Sequence, residues 1–306
     1  MKPLILMLGM AAMAASAQPA GPPHVIGAPA GTGAWPAVAE GRADAPGYTI
    51  YRPATLPARR LPLVLWGNGG CRDNGLSASH FLREIASHGY IVIANGAPRE
   101  ETRPISQLPS EETGTPRAPA PPPPARPDET RTSQMLAAID WAGQGAYRRN
   151  VDLSRIAVMG HSCGGLQALA AGADPRIRTV VAFNSGVYNR PTGGRSGVAI
   201  TKADLRKLHT PVAYILGGPT DIAYPNGSDD VARIDHIPVF YANRPTGHGG
   251  TFQRTNGGDD ARVARAWLDW QLKGDRRAGR QFTGASCGLC TQRDWTIVRK
   301  QFPEIP

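Results

Sequence analysis

One serine of the chain lies between glycines, in the stretch GHSCG from Gly160 to Gly164. An apolar run typical of a strand precedes this G-x-S-x-G pattern and a run typical of a helix follows it, so Ser162 falls on a strand-to-helix turn. The two glycines suit a tight turn in which a side chain would collide with neighbouring backbone. The pattern predicts an exposed nucleophilic hydroxyl, with the backbone N–H of Cys163 at a helix N-terminus and directed at an oxygen held above the serine.

A serine hydroxyl is a weak nucleophile until a base takes its proton, and that base needs an acid to orient it. When the serine occupies such a turn, the expected chain order is Ser, then Asp or Glu, then His, each on a loop just after a strand. Asp221 follows the apolar run Val212–Leu216, and His248 follows Pro238–Ala242. The sequence therefore predicts Ser162 as the nucleophile, His248 as the base and Asp221 as the acid.

Other acids and histidines compete for these roles. Asp229 and Asp230 are the alternative acids, although they lie near the start of a predicted helix, where acids often act as caps. His161 adjoins Ser162 in sequence but is expected to point elsewhere on the turn. The remaining rivals fall on or at the end of a helix, or precede strands at the opposite edge: His80, His88, His209 and His236.

A second donor for the oxyanion is expected from the loop after an early strand. The run Leu63–Trp66 leads into the glycine-rich stretch GNGGCRDNG. The backbone N–H of Asn68 is the predicted donor, and that of Gly69 is the alternative. The other interpretation of this stretch is an ordinary tight turn.

Short apolar runs rich in β-branched and aromatic residues predict the elements that position these side chains. The predicted strands are Tyr48–Arg52, Leu63–Trp66, Tyr90–Ala94, Ile156–Gly160, Thr179–Phe183, Val212–Leu216 and Pro238–Ala242. Helix-like periods, such as the one in Ser77–Ser87, lie between them. Runs that are apolar on both faces predict a mostly parallel α/β sheet covered by helices on both sides.

The organisation of the 306 residues follows from composition. Residues 1–17 have the charged start, short apolar centre and Ala-Ser-Ala end of a signal peptide, which predicts a secreted or periplasmic protein. Residues 18–47 form an N-terminal segment, 48–274 the predicted catalytic domain with a proline-rich loop at about 97–131, and 275–306 a tail with a CxxC pattern.

Charge and hydropathy limit the classes of partner that are expected for the protein. The net charge of +10 becomes +9 without Lys2 (10 − 1), and a basic surface favours acidic partners. The arginines are scattered without interleaved aromatic residues, so nucleic acid is not an expected partner. No run after the leader approaches the roughly 18 apolar residues of a membrane span. The sequence makes no prediction of oligomeric state.

The stretches GHSCGG, WGNGGC, LGGPTDIAYPNG and GHGGTF together resemble the α/β-hydrolase superfamily over about 48–274. The resemblance is to its secreted serine esterases near the dienelactone hydrolase and polyester hydrolase branches. It implies a Ser-Asp-His triad at Ser162, Asp221 and His248, and a central sheet of about eight mostly parallel strands. Dienelactone hydrolases use a cysteine where this chain has Ser162, so their substrate is not implied.

The four cysteines allow three full disulfide pairings in an oxidising compartment. Cys71 follows the loop of the second donor and Cys163 follows the nucleophile, and these loops are expected to meet at one edge of the sheet. We therefore expect a Cys71–Cys163 bridge and a Cys287–Cys290 bridge, with a buried free thiol as the alternative for Cys163. No metal or thioredoxin-like role is expected at the CxxC, because it lacks further ligands and does not head a helix in a βαβ unit.

The expected function is a secreted serine hydrolase that cleaves small or polymeric carboxylic esters through an acyl-enzyme on Ser162, without a cofactor. An amidase, or a depolymerase acting on an acidic polymer or a polyester, is the alternative. A non-catalytic binding module on the same scaffold is disfavoured by the intact triad. Loops including Asn184–Gly197, Tyr224–Asn226 and the proline-rich loop are expected to build the substrate pocket.

Overall fold

The computed structural model of the protein describes residues 22–99, 129–189 and 198–302. The predicted signal peptide, at 1–17, lies outside the described residues. So does most of the proline-rich loop predicted at about 97–131.

Within the described residues, ten strands form one sheet in the order β1-β2-β3-β5-β4-β6-β7-β8-β9-β10. Their bounds are β1 His24–Ala30, β2 Ala37–Gly41, β3 Tyr48–Pro53, β4 Leu61–Gly67, β5 Ile91–Asn95, β6 Val151–His161, β7 Ile177–Phe183, β8 Val212–Leu216, β9 Val239–Asn243 and β10 Thr296–Lys300. The strands from β4 to β9 are parallel. The strands β1, β2, β3 and β10 are antiparallel to their neighbours at the two sides of the sheet.

Helices cover both faces of this sheet. Their bounds are α1 Ser79–Ser87, α2 Thr132–Gln144, α3 Cys163–Ala171, α4 Tyr224–Arg233, α5 Gly258–Lys273 and α6 Arg276–Gly279. On one face α1 and α5 pack into a core that contains Trp66 of β4, and on the other α2, α3 and α4 pack into a core that contains Leu65 of β4. Successive side chains of a strand point to opposite faces, so fully buried strands need apolar residues at nearly every position. The strand order and the two helical layers confirm the predicted α/β-hydrolase fold.

The sheet is larger than the about eight strands that the resemblance implied. The strands β1, β2 and β10 were not predicted, and they come from residues before 48 and after 274. These segments lack long apolar runs: β1 is mostly exposed, and β10 carries Arg299 and Lys300. In β2 the fully buried Glu40 is paired with Arg52 of β3 at 2.9 Å, an interaction that the sequence pattern did not indicate.

None of the helices in the described part of the chain is long and apolar enough to cross a membrane.

Candidate active site

Ser162 lies between the end of β6 and the start of α3, in a backbone conformation that non-glycine residues rarely adopt, with φ 54° and ψ −120°. Two glycines allow this turn to form. A Cβ atom added at Gly160 would lie 2.1 Å from the carbonyl oxygen of Gly164, and one added at Gly164 would lie 2.0 Å from that of Gly67. The turn therefore packs backbone against backbone, which is why the G-x-S-x-G pattern needs glycine at both positions.

The side chains predicted as nucleophile, base and acid form one chain of hydrogen bonds. Nε2 of His248 lies 2.9 Å from Oγ of Ser162, and Nδ1 of His248 lies 2.6 Å from Oδ1 of Asp221. Ser162 follows β6, Asp221 follows β8 and His248 follows β9. These strands are parallel, so their carboxyl ends share one edge of the sheet and the three loops meet there.

The alternative acids lie in α4 and bind a different partner. Oδ2 of Asp229 lies 2.9 Å from Nζ of Lys202, and Oδ1 of Asp230 lies 2.6 Å from the same nitrogen. Asp230 also accepts hydrogen bonds from the backbone N–H of Val187 and the hydroxyl of Tyr214. The structure thus brings Asp221, and neither of these acids, to His248.

Asp221 is buried and accepts several hydrogen bonds. Oδ2 accepts from the backbone N–H of Gly217 at 3.0 Å and from Nδ2 of Asn184 at 2.9 Å, and Oδ1 accepts from the backbone N–H of Ala223 at 2.9 Å. Burial acts to raise the pKa of Asp221, but the bond to His248 and the backbone donors outweigh it, so the pKa lies below its usual value. The carboxylate is therefore charged at neutral pH and can stabilise a positively charged imidazole.

His248 is partly exposed, although the acid that it contacts is buried. The His248 side chain is 28% exposed, whereas the Asp221 side chain is fully buried. The imidazole is therefore partly open to solvent, while the carboxylate that it contacts is buried.

The predicted oxyanion donors lie side by side. Cys163 is the first residue of α3, and N–H groups in a first helical turn have no intrahelical acceptor. The backbone nitrogen of Asn68 lies 2.6 Å from the point where a Gly164 Cβ would be, so the loop after β4 touches the first turn of α3. The side chain of Asn68 is buried and bound to Trp66, Ser77 and the backbone of Asn95. These bonds fix the loop and leave the Asn68 side chain unavailable to a substrate.

Gly69, the alternative donor, begins a short 3-10 turn, Gly69–Cys71. A Cβ atom at Gly69 would lie 2.6 Å from Nδ1 of His161, so this residue packs against the ring that precedes the nucleophile.

All four cysteines are paired. The structure joins Cys71 to Cys163 with their Cα atoms 5.2 Å apart, and Cys287 to Cys290 with their Cα atoms 5.0 Å apart. These are the two predicted pairings, and Cys163 is not the buried free thiol of the alternative. The first bridge links the loop after β4, which carries the predicted oxyanion donor, covalently to the residue after Ser162. No group of His, Cys, Asp or Glu within the described ranges is arranged to hold a metal ion.

Sequence reasoning missed three residues that support this arrangement. Asn184, directly after β7 and at a φ of 45°, donates to Asp221 and to the carbonyl oxygen of Gly247. Ser185 donates to the carbonyl oxygen of Ser162 at 2.7 Å. His161 donates through Nε2 to the carbonyl oxygen of His248 at 2.7 Å. The sequence signal for the first two is their position at the end of a buried parallel strand, at the start of a segment expected to line the substrate pocket.

The loops expected to build the substrate pocket are described in part. Tyr224–Asn226 forms the first turn of α4, and Asn189 donates its backbone N–H to the side-chain oxygen of Asn226 at 3.2 Å. The later part of Asn184–Gly197, from residue 190, lies outside the described residues.

Two curated relatives are similar to part of the chain. A protein of Aspergillus fumigatus named alpha/beta hydrolase psoB is 31% identical over 169 residues, which cover 51% of this chain and 33% of that protein. This relative supports the α/β-hydrolase superfamily. A protein of Aspergillus flavipes named hydrolase ffsE is 33% identical over 151 residues, which cover 45% of this chain and 29% of that protein. The chain thus spans about a third of the length of the curated relatives it matches. No family model matches it. Both names support a hydrolase, and neither specifies the dienelactone or polyester branch.

Proposed function

We propose that the protein is a serine hydrolase that cleaves carboxylic esters through an acyl-enzyme formed on Ser162. One observation carries the proposal: the continuous hydrogen bonds from Ser162 through His248 to Asp221, at 2.9 and 2.6 Å. A base within hydrogen-bond reach of a serine, itself oriented by a carboxylate, is the arrangement that activates a hydroxyl for attack on a carbonyl carbon.

The reaction proceeds in two halves. Nε2 of His248 takes the proton of Ser162 as Oγ attacks the ester carbonyl, and Asp221 holds the imidazole and stabilises its positive charge. The backbone N–H groups of Cys163 and Asn68, with Gly69 as the alternative to Asn68, bind the resulting oxyanion. His248 then gives its proton to the departing alkoxide. Water attacks the acyl-enzyme by the same route and releases the acid, so the step needs no cofactor.

The protein is proposed to act outside the cytoplasm after removal of residues 1–17. Two disulfides are compatible with an oxidising compartment. Residues 48–274 are the proposed catalytic domain, with 18–47 and 275–306 as flanking segments that add strands to its sheet. Within the superfamily, the protein is proposed to be a secreted serine esterase near the dienelactone hydrolase and polyester hydrolase branches.

The second candidate function is an amidase, or a depolymerase acting on an acidic polymer or a polyester. The net charge, +10 for the full chain and +9 without residues 1–17 (10 − 1), favours an anionic polymer, and a partly exposed His248 suits a substrate too large to enter a closed pocket. A non-catalytic binding module is disfavoured, because binding alone does not require a serine, a histidine and a buried carboxylate in one chain of hydrogen bonds.

The test is to compare the native protein with Ser162→Ala on p-nitrophenyl esters of graded chain length, anilides, polyester film, feruloyl esters and poly(aspartate). Members of such a triad act as a unit, so the variant should lose about 10⁴-fold or more in kcat on esters. Ser154→Ala is the matched control, since Ser154 lies on β6 as well but is exposed near the opposite end of that strand. A Ser162→Ala protein that kept more than a tenth of the native rate would exclude Ser162 as the nucleophile. Turnover of anilides or poly(aspartate) alone would favour the second candidate.

A further inference from the structure

His161 touches three parts of the candidate active site at once. It immediately precedes Ser162, its Nε2 donates to the carbonyl oxygen of His248 at 2.7 Å, and its Nδ1 lies against Gly69 of the oxyanion loop. The residue is 3% exposed, and its ring centroid lies 5.0 Å from that of Phe252. A buried ring held by these contacts has little freedom to move, so it can serve as a rigid support.

The loop that carries His248 is rich in glycine, and its backbone is tied to the sheet at Gly247, whose N–H donates to the carbonyl oxygen of Gly217 at 2.7 Å. The stretch is GHGG, and a Cβ atom added at Gly247 or at Gly249 would have no atom within 4 Å. Glycine-rich backbone has many accessible conformations, so hydrogen bonds must fix this segment. Two of these hydrogen bonds are donated by side chains at strand ends to successive carbonyl oxygens: Asn184 donates to that of Gly247, and His161 donates to that of His248.

The hydrogen bond between His161 and the carbonyl oxygen of His248 requires one tautomer of the His161 ring. A carbonyl oxygen accepts, so Nε2 of His161 must carry the proton. Its Nδ1 is buried without a hydrogen-bond partner among the described residues. Burial, followed by the nearby His248, lowers the pKa of His161 to about 3. The ring therefore stays neutral when His248 becomes charged during turnover, and it does not compete for the proton of Ser162.

We propose that His161 is a positioning residue, whose Nε2–H holds the main chain of His248 and thereby sets the distance between the His248 imidazole and Ser162. The inference rests on the proposed function for its catalytic consequence, but the placement of His248 can be measured without turnover. Displacing a reacting group by about 1 Å can cost about 10²-fold in rate.

The test compares His161→Phe, which keeps an aromatic ring but has no donor, with His161→Gln, whose amide nitrogen can reach the same carbonyl oxygen. We expect His161→Phe to lower kcat by about 10- to 100-fold with KM changed by less than about threefold, since the lost bond positions the base rather than the substrate. His161→Gln should recover most of the rate. His236→Phe is the matched control, because Nε2 of His236 donates to the carbonyl oxygen of Leu208 at 2.8 Å in a loop before β9, away from the site, and its loss should leave kcat unchanged.

The second readout is proton NMR of the Nδ1–H of His248, which the 2.6 Å bond to Asp221 should shift far downfield. This signal should broaden or vanish in His161→Phe and remain in His161→Gln and His236→Phe. If His161→Phe does not fold, the pair His161→Gln and His161→Asn replaces it, because the shorter Asn amide cannot reach the carbonyl oxygen.

The proposal is overturned if His161→Phe keeps kcat within threefold of the native value, or if the donor-retaining and donor-lacking variants fall equally in rate and lose the signal equally. A native protein that hydrolyses no ester but shows the same pattern of NMR signals would contradict the proposed function and leave the positioning role supported.

Discussion

The disulfide between Cys71 and Cys163 should contribute to both stability and rate, and the chain contains an internal control for it. The bridge closes a loop with a sequence separation of 92, whereas the Cys287–Cys290 bridge has a separation of 3. In the chain-entropy account of disulfides, these loops correspond to about 4.6 and about 1.6 kcal/mol of stabilisation at 25 °C. Cys71 and Cys287 are each 1% exposed, so the packing lost at these two positions is similar, whereas Cys163 is buried and Cys290 is half-buried.

We therefore expect the double substitution of Cys71 and Cys163 by alanine to lower the free energy of unfolding by about 3 kcal/mol more than the same substitution at Cys287 and Cys290. Urea unfolding followed by circular dichroism measures both values. Equal losses from the two pairs would refute the loop-closure argument.

The effect on rate has a different origin. The backbone N–H at position 163 survives substitution of the side chain, but its distance from Asn68 is no longer fixed by a covalent link. Deleting one oxyanion donor outright costs about 10²–10³ in kcat, so loosening one should cost less, about tenfold. The assay is ester hydrolysis at a temperature where both double variants are folded. If removing the Cys71–Cys163 bridge left kcat within twofold of the native value, the bridge would have no role in placing the donors.

Three further predictions follow from contacts in and beneath the site. Asp221→Asn should lower kcat by roughly 10⁴-fold, because an amide favours the wrong imidazole tautomer, whereas Asp229→Asn should stay within twofold in ester assays. Asp260 is buried and its pKa is raised by burial to about 6 from 3.8, so its charge destabilises the folded state as pH rises through that range. The free energy of unfolding of Asp260→Asn, relative to that of the native protein, should therefore increase by up to about 3 kcal/mol from pH 4 to pH 8, as measured by urea unfolding. A difference between the two proteins that does not change with pH would contradict this prediction. Gly164→Ala should lower the free energy of unfolding by about 4 kcal/mol or more, or prevent folding, because its Cβ would meet the Gly67 carbonyl oxygen. Gly249→Ala is the control: a Cβ there has open space around it, so this variant should unfold at nearly the same urea concentration as the native protein.

The strands that position the site could be predicted from sequence because they are buried on both faces. Each of the strands β4 to β9 contains a buried apolar run, and the loops after them carry polar residues, so the positions of Ser162, Asp221 and His248 relative to the sheet could be predicted from this pattern together with the expected chain order. The edge strands could not be predicted this way. The residues of these edge strands are extended because they pair with a neighbouring strand. Glu40 of β2 illustrates this, since it is buried and forms an ion pair with Arg52 of β3.

The supporting side chains depend on directions that a sequence pattern does not encode. His161 was expected to point elsewhere on the turn, and only the three-dimensional path of the glycine-rich loop brings the His248 carbonyl oxygen to it. Asn184 acts from a left-handed backbone conformation, which aims its amide at two loops that are distant in sequence. Asp221 and Asp230 follow the same strand, and what separates them is the partner each one reaches: His248 for the first and Lys202 for the second.

The most direct test of the central claim is covalent trapping of the nucleophile with a fluorophosphonate probe, followed by peptide mapping by mass spectrometry. An activated serine should take up one probe per chain, on the peptide that contains Ser162, and His248→Ala should slow the labelling by several orders of magnitude because the hydroxyl loses its base. Labelling at a different residue, or equal labelling rates with and without the His248 imidazole, would contradict the account.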